Sequence, residues 1–193
     1  MILKKLVDVL LCKLFYKVEA EGIDKLDLNK NYVFIANHVS SKDAMWIWVH
    51  IPNIAIMAKE ELFKFKPLGT ILKSQGVFPI ARGKKDFGHV YQSVKIIKSG
   101  KNLLIFPEGT RRAREKGVKA KNGAAYIAAT SGAKIIPVHI SEKVKLFGRI
   151  KVVYGDPIEL NITKDQVKDK TVLSEATKKL MDTVYSIGDE NGK

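Results

Sequence analysis

The sequence predicts an α/β domain with a mostly parallel central sheet flanked by helices, preceded by an amphipathic helix. Three observations carry this. Short apolar runs of strand length alternate with stretches of helical spacing, the arrangement that builds parallel sheets through crossover helices. Most of these runs, Tyr32–Ala36 and Leu103–Phe106 among them, are apolar throughout and read as buried strands. At 193 residues with 46% hydrophobic content, the chain suits one domain with a substantial core, and no repeat, low-complexity tract or long linker divides it.

Residues 2–18 read as a helix whose apolar sector is Leu3, Leu6, Val7, Leu10, Leu14 and Val18, bordered by Lys4, Lys5, Lys13 and Lys17. That character suits either an interfacial membrane helix or a helix packed on the core. Cys12 lies within this pattern and reads as packing. The stretch 21–30 is a polar connection into the first strand, 32–36, and 44–49 continues as a helix that Pro52-Asn53 breaks. The next strand is expected at 54–58, followed by a helical piece from Lys59 that stops near Lys66-Pro67.

A third strand lies at 76–80, and helical spacing through Val90, Val94 and Ile97 closes at Ser99-Gly100, with glycine in the C′ place. The fourth strand, 103–106, runs into a turn and then a basic loop over 111–121. A helix over about 123–130, strands at 135–140 and 152–154, and a terminal helix using Val172, Leu173, Ala176, Leu180, Val184 and Tyr185 complete the chain, with a fraying tail from Gly188.

The net charge of +14, from 34 Lys and Arg against 20 Asp and Glu, calls for an acidic partner: nucleic acid, an anionic lipid surface or a phosphorylated substrate. Aromatic content of 8% without aromatic-basic alternation offers no base-stacking platform, so nucleic acid is not expected. No apolar run approaches the roughly 20 residues that span a bilayer, and no signal peptide is evident, which points to an intracellular protein. One cysteine excludes a disulfide framework, and His50, His89 and His139 share no ligand spacing with each other or with His38, so no metal is assigned.

Three chemically loaded stretches recur at one structural place, the carboxyl end of a strand, where open α/β sheets form their clefts. The first is Asn37-His38 with Asp43 five residues beyond the histidine. A strand-to-helix turn of that length lets Nδ1 donate to the carboxylate while Nε2 faces a substrate hydroxyl. The bland alternative makes Ser40 or Ser41 an N-cap and Asp43 a complement to the helix dipole. The second stretch is Gly76 to Arg82, and the third is Phe106-Pro107-Glu108-Gly109-Thr110-Arg111. Arginines at strand ends are suited to phosphate, and Gly109 permits close approach of backbone amides to an anion. Structurally, Arg82 could also be a solvated turn residue, Glu108 could pair with Arg111, and Pro137 could mark an edge or bulge.

Taken together, these residues resemble the motifs of the glycerophospholipid acyltransferases, specifically the bacterial 1-acyl-glycerol-3-phosphate acyltransferases. Asn-His-x4-Asp appears at 37–43, Gly-Val-Phe-Pro-Ile-Ala-Arg at 76–82, Phe-Pro-Glu-Gly-Thr-Arg at 106–111, and an apolar-Pro-Val run at 135–138, all in family order. The resemblance covers nearly the whole chain. Ala81 replaces an aspartate common in the family and Arg112 a serine, departures that bear on acceptor preference.

The resemblance implies a glycerol-3-phosphate acyltransferase-like fold over 19–193 behind a membrane-associating helix at 1–18. It implies His38 as general base oriented by Asp43, with Arg82, Glu108, Gly109, Thr110 and Arg111 holding the glycerol phosphate. It also implies acyl-CoA or acyl carrier protein as co-substrate with no cofactor, lysophosphatidic acid as acceptor, and a peripheral place on the cytoplasmic face of the cell membrane. The alternatives are transfer to another lysolipid or to glycerol 3-phosphate, a thioesterase, and a non-catalytic basic binder of membranes or nucleic acid. Donor consumption with and without lysolipid separates them.

Overall fold

Seven strands form one sheet, in the order β1-β7-β6-β2-β5-β3-β4. In chain order they are β1 Lys17–Glu21, β2 Val33–Ala36, β3 Ile54–Lys59, β4 Val77–Ile80, β5 Asn102–Ile105, β6 Ile135–Ile140 and β7 Arg149–Tyr154. The computed structural model describes residues 2–7, 14–80, 88–141 and 147–190. All pairings are parallel except β6 with β7, so β1 and β7 run opposite to the other five and begin at the edge where those five end.

β2 and β5 are buried at every position because helices cover both faces of the sheet. Alternation along β2 sends Phe34 and Ala36 to one layer and Val33 and Ile35 to the other. The first layer is closed by α2 (Asp43–Trp48) through Trp46 and Ile47, with α3 (Lys66–Ser74) contributing Leu72. The second is closed by α4 (Gly88–Lys98), α5 (Gly123–Ser131) and α6 (Lys170–Glu190).

Two buried asparagines set the level of the strand ends. Asn102 accepts from the Tyr32 N–H at 2.9 Å and donates to the Pro52 carbonyl at 2.9 Å. At the other end of β2, Asn37 both donates to and accepts from the Ile140 backbone at 2.8 Å. That amide clamp prolongs the β2–β6 ladder just before His38.

The fold class and strand positions match the sequence expectations; four local features differ. Of the helix expected over 2–18, Ile2–Val7 is helical (α1), residues 8–13 lie outside the described residues, and residues 17 and 18 instead open β1. β1 is an edge strand whose Lys17, Glu19 and Glu21 alternate with the inward Val18 and Ala20, and its outer charges pair across to β7 through Glu19–Arg149 at 3.6 Å and Glu21–Lys151 at 2.9 Å. That period-two pattern abuts a helical one, which conceals it. Lys4 of α1 is turned inward: it donates to the Ile51 carbonyl at 2.7 Å, lies 5.3 Å from the centre of the Trp48 ring, and burial lowers its pKa.

α3 forms where Lys66-Pro67 reads as a stop, because proline is tolerated in a helix's first turn, where its missing N–H has no intrahelical partner. The expected strand at 152–154 begins three residues earlier, at Arg149. The tail from Gly188 does not fray at once but remains helical to Glu190. Gly188 lies against the His139 ring, and a side chain there would push the helix off β6.

Candidate active site

β2 and β5 are neighbours with Ile35 opposite Ile105, so the segments that follow them emerge side by side. The chain then leaves β2 for α2 on one face and leaves β5 for α5 on the other. Departure to opposite faces opens a crevice at the strand ends.

His38 stands at this point. Its Nδ1 is 2.6 Å from Asp43 Oδ2; the histidine side chain is 18% exposed and the aspartate is fully buried. Asp43 does not act only as a helix-dipole partner. The helix cap at Lys42 has no side-chain hydrogen bond, and the Asp43 carboxylate instead accepts Val39 N–H at 2.7 Å and Ser40 N–H at 2.8 Å. Donation from Nδ1 to a carboxylate so fixed leaves the Nε2 lone pair as the free, basic position of the ring. Phe106 at the end of β5 stacks on the imidazole with centroids 4.4 Å apart, which sets the ring plane.

The loop after β5 holds the backbone of His38 at both ends. Glu108 accepts the His38 N–H at 2.9 Å, and Arg112 N–H donates to the His38 carbonyl at 2.6 Å. Arg112 makes that bond from a left-handed backbone conformation (φ 54°), which non-glycine residues seldom adopt. Glu108 is 4% exposed, and its other oxygen accepts from the Tyr185 hydroxyl on α6. Both Glu108 oxygens are thus engaged inside the protein, and the side chain ties the terminal helix to the His38 backbone. The Arg114 guanidinium lies 4.6 Å over the Tyr185 ring.

Gly109 turns the chain with φ 63°, and the Lys121 side chain lies close over the place a Cβ would occupy. Lys121 is anchored there by its own N–H, which donates to the Pro107 carbonyl at 2.8 Å.

The crevice is a cavity of about 750 Å³, within the usual range for small-molecule sites. Met45, Trp48, Ile56, Val77 and Ile127 give it apolar walls, while Lys59, Arg111 and Lys121 are its exposed cationic lining. Among the described residues, no Asp or Glu lines it. His38, Gly109 and Arg111 thus meet at one cavity, Asp43 and Glu108 stand behind it, and Thr110 is half-buried off its lining. Arg82 lies outside the described residues.

Sequence reasoning missed Lys121 and Tyr185. Lys121 was one of many cations in the 111–121 run, and Tyr185 counted only as part of an apolar helix stripe; its hydroxyl on that stripe was the available signal.

The family model described as acyltransferase matches residues 17–141. The chain is 31% identical over 148 residues to a 1-acyl-sn-glycerol-3-phosphate acyltransferase of Bacillus subtilis, covering 73% of each. It is 29% identical over 171 residues to the protein of that name from Streptococcus pneumoniae, covering 84% of this chain and 63% of that one. In structure it resembles the 1-acyl-sn-glycerophosphate acyltransferase of Thermotoga maritima, with a TM-score of 0.66 at 20% identity over 91% of this chain and 73% of that one.

Proposed function

This chain belongs to the acyltransferase family, and from that premise we propose that it moves a fatty acyl group from a thioester to the free hydroxyl of 1-acyl-glycerol 3-phosphate, giving phosphatidic acid. One observation carries the reading: a buried-carboxylate histidine sits on an apolar cavity whose charged lining, among the described residues, is cationic. That combination suits a substrate with a long chain, a reacting hydroxyl and an anionic head.

In this mechanism His38 Nε2 takes the acceptor's hydroxyl proton as the oxygen attacks the thioester carbonyl. The tetrahedral adduct collapses, the C–S bond breaks, and the thiolate leaves with the proton from the imidazolium. Asp43 holds the tautomer and stabilises the transient cation. The acceptor oxygen attacks directly, so no covalent enzyme intermediate is needed. The phosphate is gripped by Arg111 and Lys121; Arg82, outside the described residues, is the further cation that the sequence offers for this role. Guanidinium supplies a two-point fork and ammonium a compact charge.

The donor is acyl-CoA or acyl carrier protein, both acidic enough to be drawn to a chain of net charge +14. The place of work is an anionic membrane surface on the cytoplasmic side; no described helix is long and apolar enough to cross a membrane.

The test offers purified protein both donor types with lysophosphatidate, other lysolipids, glycerol 3-phosphate or no acceptor, and identifies the products by mass spectrometry. The expected outcome is phosphatidic acid formation that needs lysophosphatidate. Donor hydrolysis at equal rate without any acceptor would make the protein a thioesterase.

A further inference from the structure

Beyond the cavity, the least ordinary surface of the molecule is the helical crossover that leads from β3 into β4. Leu62 (46%), Phe65 (67%), Leu68 (39%) and Ile71 (50%) are all exposed there, at intervals of three residues. They begin in the 3-10 turn Glu60–Phe63 and continue along α3, so the first turn and the helix extend one row. The same apolar sector of α3 meets the core along its inner border, where Gly69 is buried and Leu72, four residues on from Leu68, packs. The core covers only part of that sector, and Phe65, Leu68 and Ile71 leave its outer part facing water.

We propose that the 60–74 crossover is the surface by which the protein enters an anionic lipid bilayer. Charge is the first argument. Over 59–74 four lysines stand against two glutamates, and the exposed Lys64, Lys66 and Lys73 interleave with the apolar row. Apolar insertion with flanking lysines is the pattern of an interfacial helix on anionic lipid.

Continuity is the second argument, and it rests on the lysolipid reading above. Leu62 and Ile71 also line the cavity that holds His38, so the outward patch and the reaction chamber share a wall. A single-chain lipid resident in a bilayer then slides its tail along that wall without crossing water.

A second exposed apolar group shares this edge of the sheet. Phe15 and Phe147 pair with centroids 6.0 Å apart where β1 and β7 begin, which is the edge where the other strands end. The molecule therefore presents apolar groups on both sides of the basic 111–121 loop, as docking of that edge requires.

The test is sedimentation of the full chain with phosphatidylglycerol or phosphatidylcholine vesicles, using wild type and the double variant F65S/L68S. Phe65 and Leu68 are exposed and do not line the cavity. The double variant should melt like wild type and lose about tenfold or more in affinity for phosphatidylglycerol vesicles, as expected when two large apolar groups no longer leave water. Its turnover on lysophosphatidate embedded in vesicles should fall in step, while turnover on a short-chain, freely soluble 1-acyl-glycerol 3-phosphate should stay within about twofold.

As a gain-of-signal arm, Phe65→Trp should add fluorescence that brominated phosphatidylglycerol quenches beyond the wild-type level. Vesicle affinity of F65S/L68S within twofold of wild type overturns the proposal, as does an unquenched Phe65→Trp indole. A change in sedimentation-equilibrium mass with unaltered vesicle affinity also overturns it, by assigning the patch to a second copy of the chain. Absence of turnover on the soluble acceptor in wild type would refute the transferase reading alone, because the vesicle arm does not depend on turnover.

Discussion

The two ends of the cavity are built by different physics. At His38, directional bonds set the arrangement: the residue is held through its ring by Asp43, through its N–H by Glu108 and through its carbonyl by Arg112. On the side of the cavity toward α3, the walls of Met45, Ile56 and Ile71 have no hydrogen-bond donor to aim, and shape is the main constraint on what fits. The first arrangement tolerates no displacement because each bond depends on angle and distance. The second tolerates exchange of one apolar side chain for another of similar volume. Under the proposed acyl transfer, chemistry is located at a point and chain recognition is spread over a surface.

The sharpest break in that contrast is His38→Ala. It should lower kcat by about 10²–10⁴-fold, as for loss of a general base, with the cooperative fold retained at a modestly lower melting temperature, because the buried Asp43 loses one donor. Near-normal turnover would remove the histidine from the chemistry.

Asp43→Asn should come next and should differ in kind. Its amide cannot accept from all the donors that the carboxylate serves, so turnover should drop sharply and stability by about 1–3 kcal/mol, measured by denaturant titration. Loss of turnover at full stability would confine Asp43 to the tautomer.

Arg111→Ala and Lys121→Ala test the cationic lining. Each should raise the acceptor KM by about 10- to 150-fold, the worth of one charge-assisted bond, and leave the donor KM nearly unchanged. Arg111→Lys should recover part of the loss. On a lysolipid analogue without phosphate the variants should match wild type; equal damage on that analogue would assign these cations to the donor or to the fold.

Tyr185→Phe probes the tie between α6 and the base. Removing the hydroxyl deprives the buried Glu108 of a donor, and the expected loss is about 1–3 kcal/mol of stability. Because Glu108 touches His38 only through its N–H, kcat should fall several-fold with both KM values steady. A KM-only effect would put Glu108 at the acceptor after all.

The smallest effect belongs to the apolar wall. Met45→Leu should change kcat/KM by less than about tenfold for any acceptor, with the change graded by acyl length.

What the sequence by itself determined is local. The strands were legible because both faces of β2, β5 and β6 are covered, which demands continuous apolar runs. His38 and Asp43 were legible because five residues of turn set their separation, whatever the rest of the chain does. The tertiary structure alone decided the rest. β1 exists as a strand because β7 offers it an edge, and its charged alternation carries little signal without that partner.

Glu108 looked like an acceptor ligand in its motif, yet Tyr185, 77 residues away, and the His38 N–H claim its oxygens. Lys121 was one cation among many until its N–H bond to Pro107 folded it over Gly109. The sequence writes periodicity and short spacing directly, because both are set by backbone geometry within a few residues. Which side chain meets a given carboxylate across the molecule is settled only when the sheet order and helix packing bring distant residues to the same point.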